Sequence, residues 1–250
     1  MAGHSKWANI KHRKARQDAK RGKVFSKLVK EITVAARVGG ADVSCNPRLR
    51  LAVDKAKAEN LPADNIDRAI KKGSGELEGV TYEEGTYEGY AAGGVAVLVE
   101  YMTDNKNRTV SEVRFAFNKY GGSLGQSGSV GWMFENKGLF TFALDAISED
   151  RLMEAALDAG AEDVVANAED GLFEVYTDPA DFSNVRSAFD NQGLEYDEAD
   201  VTMIPKNTVR VEGKTARQVL NLLEALEDLE DVQKVHANFD IPAEDLAESA

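Results

Sequence analysis

The sequence has little cysteine and no long apolar segment. Cys45 is the single cysteine among 250 residues, so the chain cannot form an internal disulfide, as is usual in a reducing compartment. No apolar run approaches the ~18 residues that a membrane-spanning helix needs. The first thirty residues also lack the apolar core of a secretory signal peptide. We therefore predict a cytoplasmic protein without a membrane partner.

Residues that commonly bind metals or act as nucleophiles are also scarce. The histidines, His4, His12 and His236, do not combine with Cys45 in the spacing of a zinc finger or ribbon. Carboxylates are plentiful, with 18 Asp+Glu against 3 Lys+Arg over residues 134–205. They are neither paired nor accompanied by a histidine, cysteine or evident nucleophile. We therefore expect no enzymatic activity and no metal site.

Positive charge is concentrated near the start of the chain. The formal net charge is −13, but residues 1–75 hold 18 Lys+Arg against 7 Asp+Glu, a net charge of +11. The remainder holds 12 Lys+Arg against 36 Asp+Glu, a net charge of −24. Such asymmetry is typical of chains whose basic part contacts nucleic acid or an anionic membrane surface.

The densest basic segment is residues 11–23, in which seven of thirteen residues are Lys or Arg and none is large and apolar. As a helix, this segment has no face that could enter a core. A polyanion would offset the mutual repulsion, because phosphate contacts release condensed counterions. The alternatives are a solvated basic tail or docking onto the acidic part of the same chain. Trp7, just upstream, could stack on a base or pack on the helices.

The pattern from residue 24 to residue 75 predicts a small helical bundle. Apolar residues follow helical spacing over 24–38, and Gly39-Gly40 ends that helix. Asn46 is a natural N-cap, Pro47 fits the first helical position, and Pro62 begins a third helix. Further basic residues either extend the binding patch or form ordinary solvated helix faces; they are Arg48, Arg50, Lys55, Lys57, Arg68, Lys71 and Lys72.

Residues 74–88 are rich in Gly, Glu and Tyr, which indicates a linker and the start of a new module. Strands then alternate with helices. Gly94–Met102 is an apolar, β-branched run typical of a buried strand. A helix follows, with Thr109 and Glu112 as its capping box, and then a strand at Val130–Phe134.

Residues 137–204 carry a βαββαβ rhythm, which predicts a ferredoxin-like unit. A closing strand, helix and strand follow: the strands are Thr208–Val211 and Val232–Phe239, and Thr215 with Gln218 forms the capping box of the helix. This closing segment has the same order of strand and helix as the segment before the βαββαβ unit. We therefore expect the two segments to form one domain.

The chain is therefore predicted to be an α+β protein with three domains. Residues 1–78 form a basic helical domain. Residues 79–134 and 205–240 form a discontinuous α+β domain, and 135–204 form an acidic ferredoxin-like domain inserted in it. Residues 241–250 form an acidic tail.

Two loops between these elements are candidates for ligand contact. Gly121–Gly128 is glycine-rich, but it has neither the Walker A ending nor the GxGxxG spacing. We interpret it as a flexible turn between a helix and a strand, and the alternative is a loop that binds a phosphate or RNA. The polar loop Asp104–Thr109 precedes a helix, where it forms either a plain capped turn or a contact loop at the helix N-terminus.

Four motifs together resemble the YebC/PmpR family. They are Met1–Lys14 (MAGHSKWANIKHRK), Asn60–Ile66 (NLPADNI), Thr103–Thr109 (TDNKNRT) and Gly128–Phe134 (GSVGWMF). The resemblance spans nearly the whole chain and implies a helical N-terminal domain followed by an α+β domain with a ferredoxin-like insertion. It implies no enzyme activity and no cofactor.

The resemblance also implies a binding role for particular residues. The nucleic-acid-binding candidates are Lys6, Trp7, Lys11, His12, Arg13, Lys14, Arg16, Lys20, Arg21, Lys23 and Lys27. The candidates for a secondary contact are Asn105, Lys106, Asn107 and Arg108.

Three functions remain open at this point. Family members are usually described as transcriptional regulators that bind DNA, while some relatives, including a mitochondrial translational activator, act on the ribosome and some relieve stalls at proline runs. The expected partner is therefore DNA or ribosomal RNA, and charge cannot separate the two. The sequence lacks a clear helix-turn-helix recognition helix and aromatic RNA-binding strands, which favours recognition of backbone and shape. A protein adaptor that binds a partner through the acidic domains is the third hypothesis.

Overall fold

The computed structural model describes residues 21–168 and 170–242. Two compact units contain these residues. The larger unit comprises residues 21–131, 211–237 and 241–242, and the smaller unit comprises residues 132–210 and 238–240. The domain boundaries expected from the sequence stay predictions, and most of the expected acidic tail lies outside the described residues.

The N-terminal helices of the larger unit are α1 (Arg21–Gly39), α2 (Pro47–Ala58) and α3 (Ala63–Ser74). Their apolar faces meet in one core, in which Ile32 and Leu49 are fully buried. Asn46 caps α2, because its side-chain oxygen accepts the N–H of Leu49 at 3.1 Å. Its amide group donates to the carbonyls of Ala35 and Gly40 at 2.9 Å each. The predicted helices and the Asn46 cap are therefore confirmed.

A four-stranded antiparallel sheet follows in the larger unit. Its strands are β1 (Glu83–Tyr90), β2 (Ala96–Thr103), β3 (Ser123–Leu124) and β9 (Val232–Ala237), in the order β3-β1-β2-β9. Helices α4 (Lys106–Lys119) and α7 (Gly213–Glu227) pack against this sheet and against each other. Their fully buried side chains include Phe117 of α4 and Leu223 of α7.

Strand β1 begins within residues 74–88, the segment that composition predicted to be a linker and the start of a new module, but no strand was predicted there. The strand contains acidic residues and glycines and few aliphatic side chains. Its stability comes instead from pairing with β2 along its whole length. The ring of Tyr87 also stacks on that of Tyr101 at a centroid distance of 4.3 Å. Backbone pairing of this kind does not depend on hydrophobic side chains, so no hydrophobic run in the sequence indicates the strand.

The smaller unit contains the βαββαβ order that the sequence predicted. Its elements are β4 (Phe134–Ala143), α5 (Glu149–Ala159), β5 (Asp163–Asn167), β6 (Leu172–Thr177), α6 (Phe182–Asn191) and β7 (Glu198–Pro205). The strand order is β5-β6-β4-β7 with antiparallel neighbours, which is the ferredoxin-like arrangement. Phe140 of β4 stacks on Phe182 at 4.8 Å and meets Phe189 edge-on at 5.1 Å, so α6 covers one face of the sheet.

Several local predictions need correction. Helix α4 begins at Lys106, and its N-cap is Asn105 rather than Thr109. Helix α7 likewise begins at Gly213, two residues before the predicted cap Thr215. Capping boxes are short patterns, and in both cases the helix extends further towards its N-terminus than the pattern indicates.

Two predicted strands also differ from the structure. The segment Val130–Phe134 contains the 3₁₀ turn Gly131–Met133, and β4 begins at its last residue. The closing strand divides into β9 and a separate β10 (Phe239–Asp240), which pairs in parallel with the short β8 (Val209–Arg210). Among the described residues, no helix is long and apolar enough to cross a membrane.

Candidate nucleic-acid interface

Most of the predicted nucleic-acid contacts lie outside the described residues. These are Lys6, Trp7, Lys11, His12, Arg13, Lys14, Arg16 and Lys20. The structure places Arg21 at the first position of α1, with Lys23 two residues and Lys27 six residues further along the same helix.

Lys23 and Lys27 both contact the C-terminal end of α7. The ammonium of Lys23 lies 3.5 Å from the carboxylate of Asp228 and donates to the carbonyl of the same residue at 3.1 Å. Lys27 donates to the carbonyl of Glu227 at 2.6 Å. Cations are favoured at this position, because the last carbonyls of a helix carry partial negative charge. The side chain of Lys23 remains 50% exposed, so solvent screens its pair with Asp228.

One turn further along α1, Lys30 reaches a buried carboxylate. Asp231 is 2% exposed, and its Oδ1 accepts from the Nζ of Lys30 at 2.7 Å. Its Oδ2 accepts from the hydroxyls of Thr103 and Thr109 at 2.9 and 2.8 Å and from Nη2 of Arg108 at 2.7 Å. Asp231 therefore joins α1 to the end of β2 and the start of α4.

The environment of Asp231 keeps it ionised. Burial acts to raise the pKa of this carboxyl group, but the hydrogen bonds from Lys30, Arg108 and the two threonine hydroxyls outweigh burial. The resulting pKa is about 2, below the ordinary value for aspartate. A buried charge held by this many donors fixes local geometry, because removing one partner would leave another charge uncompensated.

The predicted secondary contact forms the N-terminus of α4, and much of it is engaged within the fold. The side-chain oxygen of Asn105 accepts the N–H of Arg108 at 3.1 Å. Lys106 is ion-paired with Glu83, and the guanidinium of Arg108 also binds Asp104 at 2.7 Å. Asn107 is exposed. The structure thus brings these four residues together, but it shows structural partners for three of them.

The end of the glycine-rich loop and the residues that follow it, Gly128–Gly131, bind a second buried carboxylate. Glu88 of β1 is 6% exposed and accepts the backbone N–H groups of Gly128, Val130 and Gly131 at 2.7–2.8 Å. Burial acts to raise the pKa of Glu88, but these backbone hydrogen bonds outweigh it and leave the pKa below its ordinary value. Successive backbone N–H groups of this kind can bind a phosphate. At Gly128–Gly131 the side chain of Glu88 already accepts three of these groups.

Exposed cations are grouped on α3. The side chains of Arg68, Lys71 and Lys72 are exposed, and no hydrogen bond or ion pair within the described part of the chain engages them. Their spacing of three and four residues places them on neighbouring positions of one helix face. We call these three residues the α3 basic face.

The other basic residues of the bundle divide into two groups. Arg48 pairs with Glu31 at 2.8 Å and with Glu84 at 2.7 Å, and Arg50 donates to the carbonyl of Val43 at 3.1 Å. These two arginines stabilise the fold rather than extend an exposed patch. Lys57, by contrast, is exposed at the C-terminal end of α2.

Comparison with known proteins identifies the family. Residues 5–76 match the family model described as the TACO1/YebC protein N-terminal domain, and residues 82–239 match the one described as the TACO1/YebC second and third domain. The chain belongs to the TACO1/YebC family. The resemblance carried by the four sequence motifs is therefore confirmed.

Curated relatives and a solved structure cover almost the whole TACO1/YebC chain. A relative from Syntrophotalea carbinolica is 62% identical over 247 residues, covering 99% of this chain and 98% of its own. One from Geobacter sulfurreducens is 58% identical over 246 residues, covering 98% of each chain. Both carry the name "Probable transcriptional regulatory protein".

The solved structure is the crystal structure of a conserved hypothetical protein from Aquifex aeolicus. It superposes with a TM-score of 0.84 at 50% identity, covering 95% of this chain and 97% of that one. The predicted α+β fold class is thereby confirmed.

Sequence reasoning missed the burial of the two carboxylates described above. Asp231 and Glu88 are two of 43 acidic residues, and neither occurs in a pattern that marks it as buried. Among the described residues, no group of three or more His, Cys, Asp or Glu could hold a metal ion.

Proposed function

We propose that this TACO1/YebC protein is a nucleic-acid-binding regulator of gene expression that acts on DNA in transcription through its basic N-terminal domain. The supporting observation is the separation of charge, with +11 on residues 1–75 against −24 on the remainder. Phosphate attracts the basic part, while the acidic remainder repels it and orients the molecule. The names of the curated relatives agree with a role as regulator.

The α3 basic face supports the same proposal from the described residues. Arg68, Lys71 and Lys72 gain little from the fold, because they make no ion pair with its described part. Their mutual repulsion is relieved when phosphates lie against them. Arginine can also bind a phosphate with two parallel N–H groups, which lysine cannot do.

A ribosome- or RNA-associated translation factor is the second candidate. The observation that favours it is that the sequence lacks a clear helix-turn-helix recognition helix, which weakens base reading in the major groove of DNA. Binding would then depend on phosphates and on the shape of the nucleic acid. Structured RNA offers the same phosphates. The proposal includes a cytoplasmic location and assigns no catalytic step to any residue.

Salt dependence of binding tests the proposed contact. Removing one cation that binds a phosphate should make the slope of log Kobs against log salt concentration shallower by ~0.9 on duplex DNA. Replacement of Arg68, Lys71 and Lys72 by alanine should therefore weaken binding and flatten the slope. Replacement of Arg13, Lys14, Arg16, Lys20 and Arg21 should do the same for the N-terminal segment.

The matched control removes three exposed cations elsewhere, by replacing Arg114, Arg151 and Lys214 with alanine. It should lower the total charge as much as the α3 variant does and leave the slope nearly unchanged. If the control and the two test variants lose the same affinity, binding reflects overall charge and the proposed interface is wrong.

The physiological target requires a separate measurement. Crosslinking in cells, followed by sedimentation of ribosomes from the lysate, separates the two candidate functions. Recovery on promoter DNA alone would reject the translational function, and recovery on ribosomal RNA alone would reject the transcriptional one.

A further inference from the structure

Helix α4 of the larger unit presents an exposed phenylalanine beside an open groove. Phe115 is 67% exposed, whereas Val113 and Phe117 of the same helix are fully buried. The groove next to Phe115 has a volume of about 400 Å³ and lies between α4 and the C-terminal end of α7. An apolar patch of this kind with polar residues around it commonly marks an interaction site.

The groove and the ring of Phe115 belong to one apolar patch. Ala116, Ala225 and Leu229 also line the groove. Ala116 is 5% exposed, and the other two residues are half-buried. A protruding ring therefore lies next to a hollow with small and aliphatic walls. A patch that contains both shapes can be covered by the same patch of a second molecule.

Two opposite charges flank Phe115 on this side of α4. Glu112 precedes it by three residues, Lys119 follows it by four, and both are exposed and line the groove. Residues at this spacing share one side of a helix, with the two charges about 10.5 Å apart along its axis. Within the described part of the chain, neither charge takes part in an ion pair. The ammonium of Lys119 lies 5.2 Å from the centre of the Tyr120 ring.

This charge pattern is complementary to itself under a two-fold rotation. If two copies of α4 lie antiparallel with the axis between Phe115 and Ala116, Glu112 of each copy faces Lys119 of the other. The two Phe115 rings then meet at the axis. A parallel arrangement would place Glu112 against Glu112 and Lys119 against Lys119, so charge favours the antiparallel arrangement.

The exposed carboxylate beside the groove does not oppose this contact. Asp228 precedes Leu229 and would add negative charge to both copies, but the ammonium of Lys23 lies 3.5 Å from its carboxylate. The positive charge of Lys23 therefore offsets much of that negative charge.

We propose that this side of α4 docks onto a second copy of the chain and forms a two-fold symmetric dimer. A second copy offers a partner to both charges and an apolar cover to Phe115, whereas a small apolar molecule would leave both charges unpaired. The contact is limited to one helix and its groove, so we expect a dissociation constant on the order of 10 µM. The dimer does not depend on the proposed binding of nucleic acid.

Sedimentation velocity of the full chain without nucleic acid measures the dimer. The wild-type protein should shift to twice the mass of one chain as its concentration rises from about 1 to 300 µM. Phe115→Ser should raise the dissociation constant at least about tenfold, because an aromatic residue at the centre of an interface commonly dominates its affinity. Leu157→Ser is the matched control and should change nothing, since Leu157 is equally exposed, at 67%, on α5 of the smaller unit.

Exchange of the two charges tests the arrangement of the copies. Glu112→Lys and Lys119→Glu each place like charges together at both contacts, so each variant alone should dimerise at least about tenfold more weakly. An equimolar mixture of the two variants should dimerise again, because their heterodimer has opposite charges at both contacts. Far-UV circular dichroism should show that each variant is folded.

Three results would overturn the proposal. One is a wild-type chain that stays monomeric up to about 300 µM, including one whose groove binds a small apolar molecule instead. Another is a dimer that Phe115→Ser leaves intact, which would place the contact on another surface. The third is a mixture of the two charge variants that dimerises no better than either variant alone. None of these results affects the proposed binding of nucleic acid, which the salt dependence tests separately.

Discussion

Replacement of Asp231 by asparagine should destabilise the larger unit strongly. The pKa of Asp231 is lowered from its ordinary value of 3.8 to about 2. Since each pKa unit is worth ~1.36 kcal/mol, the ionised form contributes roughly 2.4 kcal/mol to the free energy of unfolding. The substitution also leaves Lys30, which is only 7% exposed, without its counter-charge. We therefore expect a loss of about 2–4 kcal/mol at neutral pH.

The loss should depend on pH in a defined direction. Because the pKa of Asp231 is lower in the folded state, its contribution is present above pH ~4 and disappears as the pH falls towards 2. Protonated aspartate resembles asparagine in charge. The difference in stability between wild-type protein and Asp231→Asn should therefore shrink steadily as the pH falls from 6 towards 2.5.

Urea unfolding followed by far-UV circular dichroism measures this difference. Hydrogen exchange of the α1 backbone amides shows whether the loss is local to the helix that Lys30 joins to Asp231. Asp228→Asn is the matched control, because Asp228 lies in the same connection between α7 and β9 but is 51% exposed. Its loss should be no more than about 1 kcal/mol. Equal losses in the two variants, or a difference that does not change with pH, would refute the reasoning.

Two further substitutions test the packing around the candidate sites. Glu88→Gln should cost about 1–3 kcal/mol and speed hydrogen exchange at Gly128–Gly131, because one carboxylate oxygen that accepts backbone N–H groups is replaced by a donor. The exposed Glu83→Gln is its control, and equal exchange in both would contradict this role of Glu88. Gly73→Ala should cost about 1–3 kcal/mol in thermal or urea unfolding, since a Cβ atom there would lie 2.3 Å from the carbonyl oxygen of Thr33. An unchanged midpoint would show that α1 and α3 can separate without cost.

Parts of the candidate interface could be predicted because they depend on charge density. The asymmetry between the two parts of the chain and the basic segment 11–23 are properties of composition. Composition could not separate Arg48, which binds Glu31 and Glu84, from Arg68, which lies on the α3 basic face. That difference depends on which carboxylates the fold brings near each arginine.

Helices and turns of the bundle were predictable for a local reason. An amphipathic helix and its N-cap involve residues within about four positions of one another, as at Asn46 and Leu49. Strand β1 was missed because its stabilising partner β2 supplies backbone hydrogen bonds that no side-chain pattern in Glu83–Tyr90 indicates. The start of α4 was misplaced because Thr109 suits a cap but donates to Asp231 instead.

The sequence by itself determined the family, the fold class, the N-terminal helical bundle and the separation of charge, because each depends on residue types and short spacings. Only the tertiary structure decided that Glu88 binds the backbone of Gly128–Gly131 and that Asp231 binds Lys30 and Arg108. Lys30 and Arg108 lie 201 and 123 residues away from Asp231 in the sequence. A carboxylate becomes a buried structural charge only when such distant donors converge on it, and that convergence is a property of the folded chain.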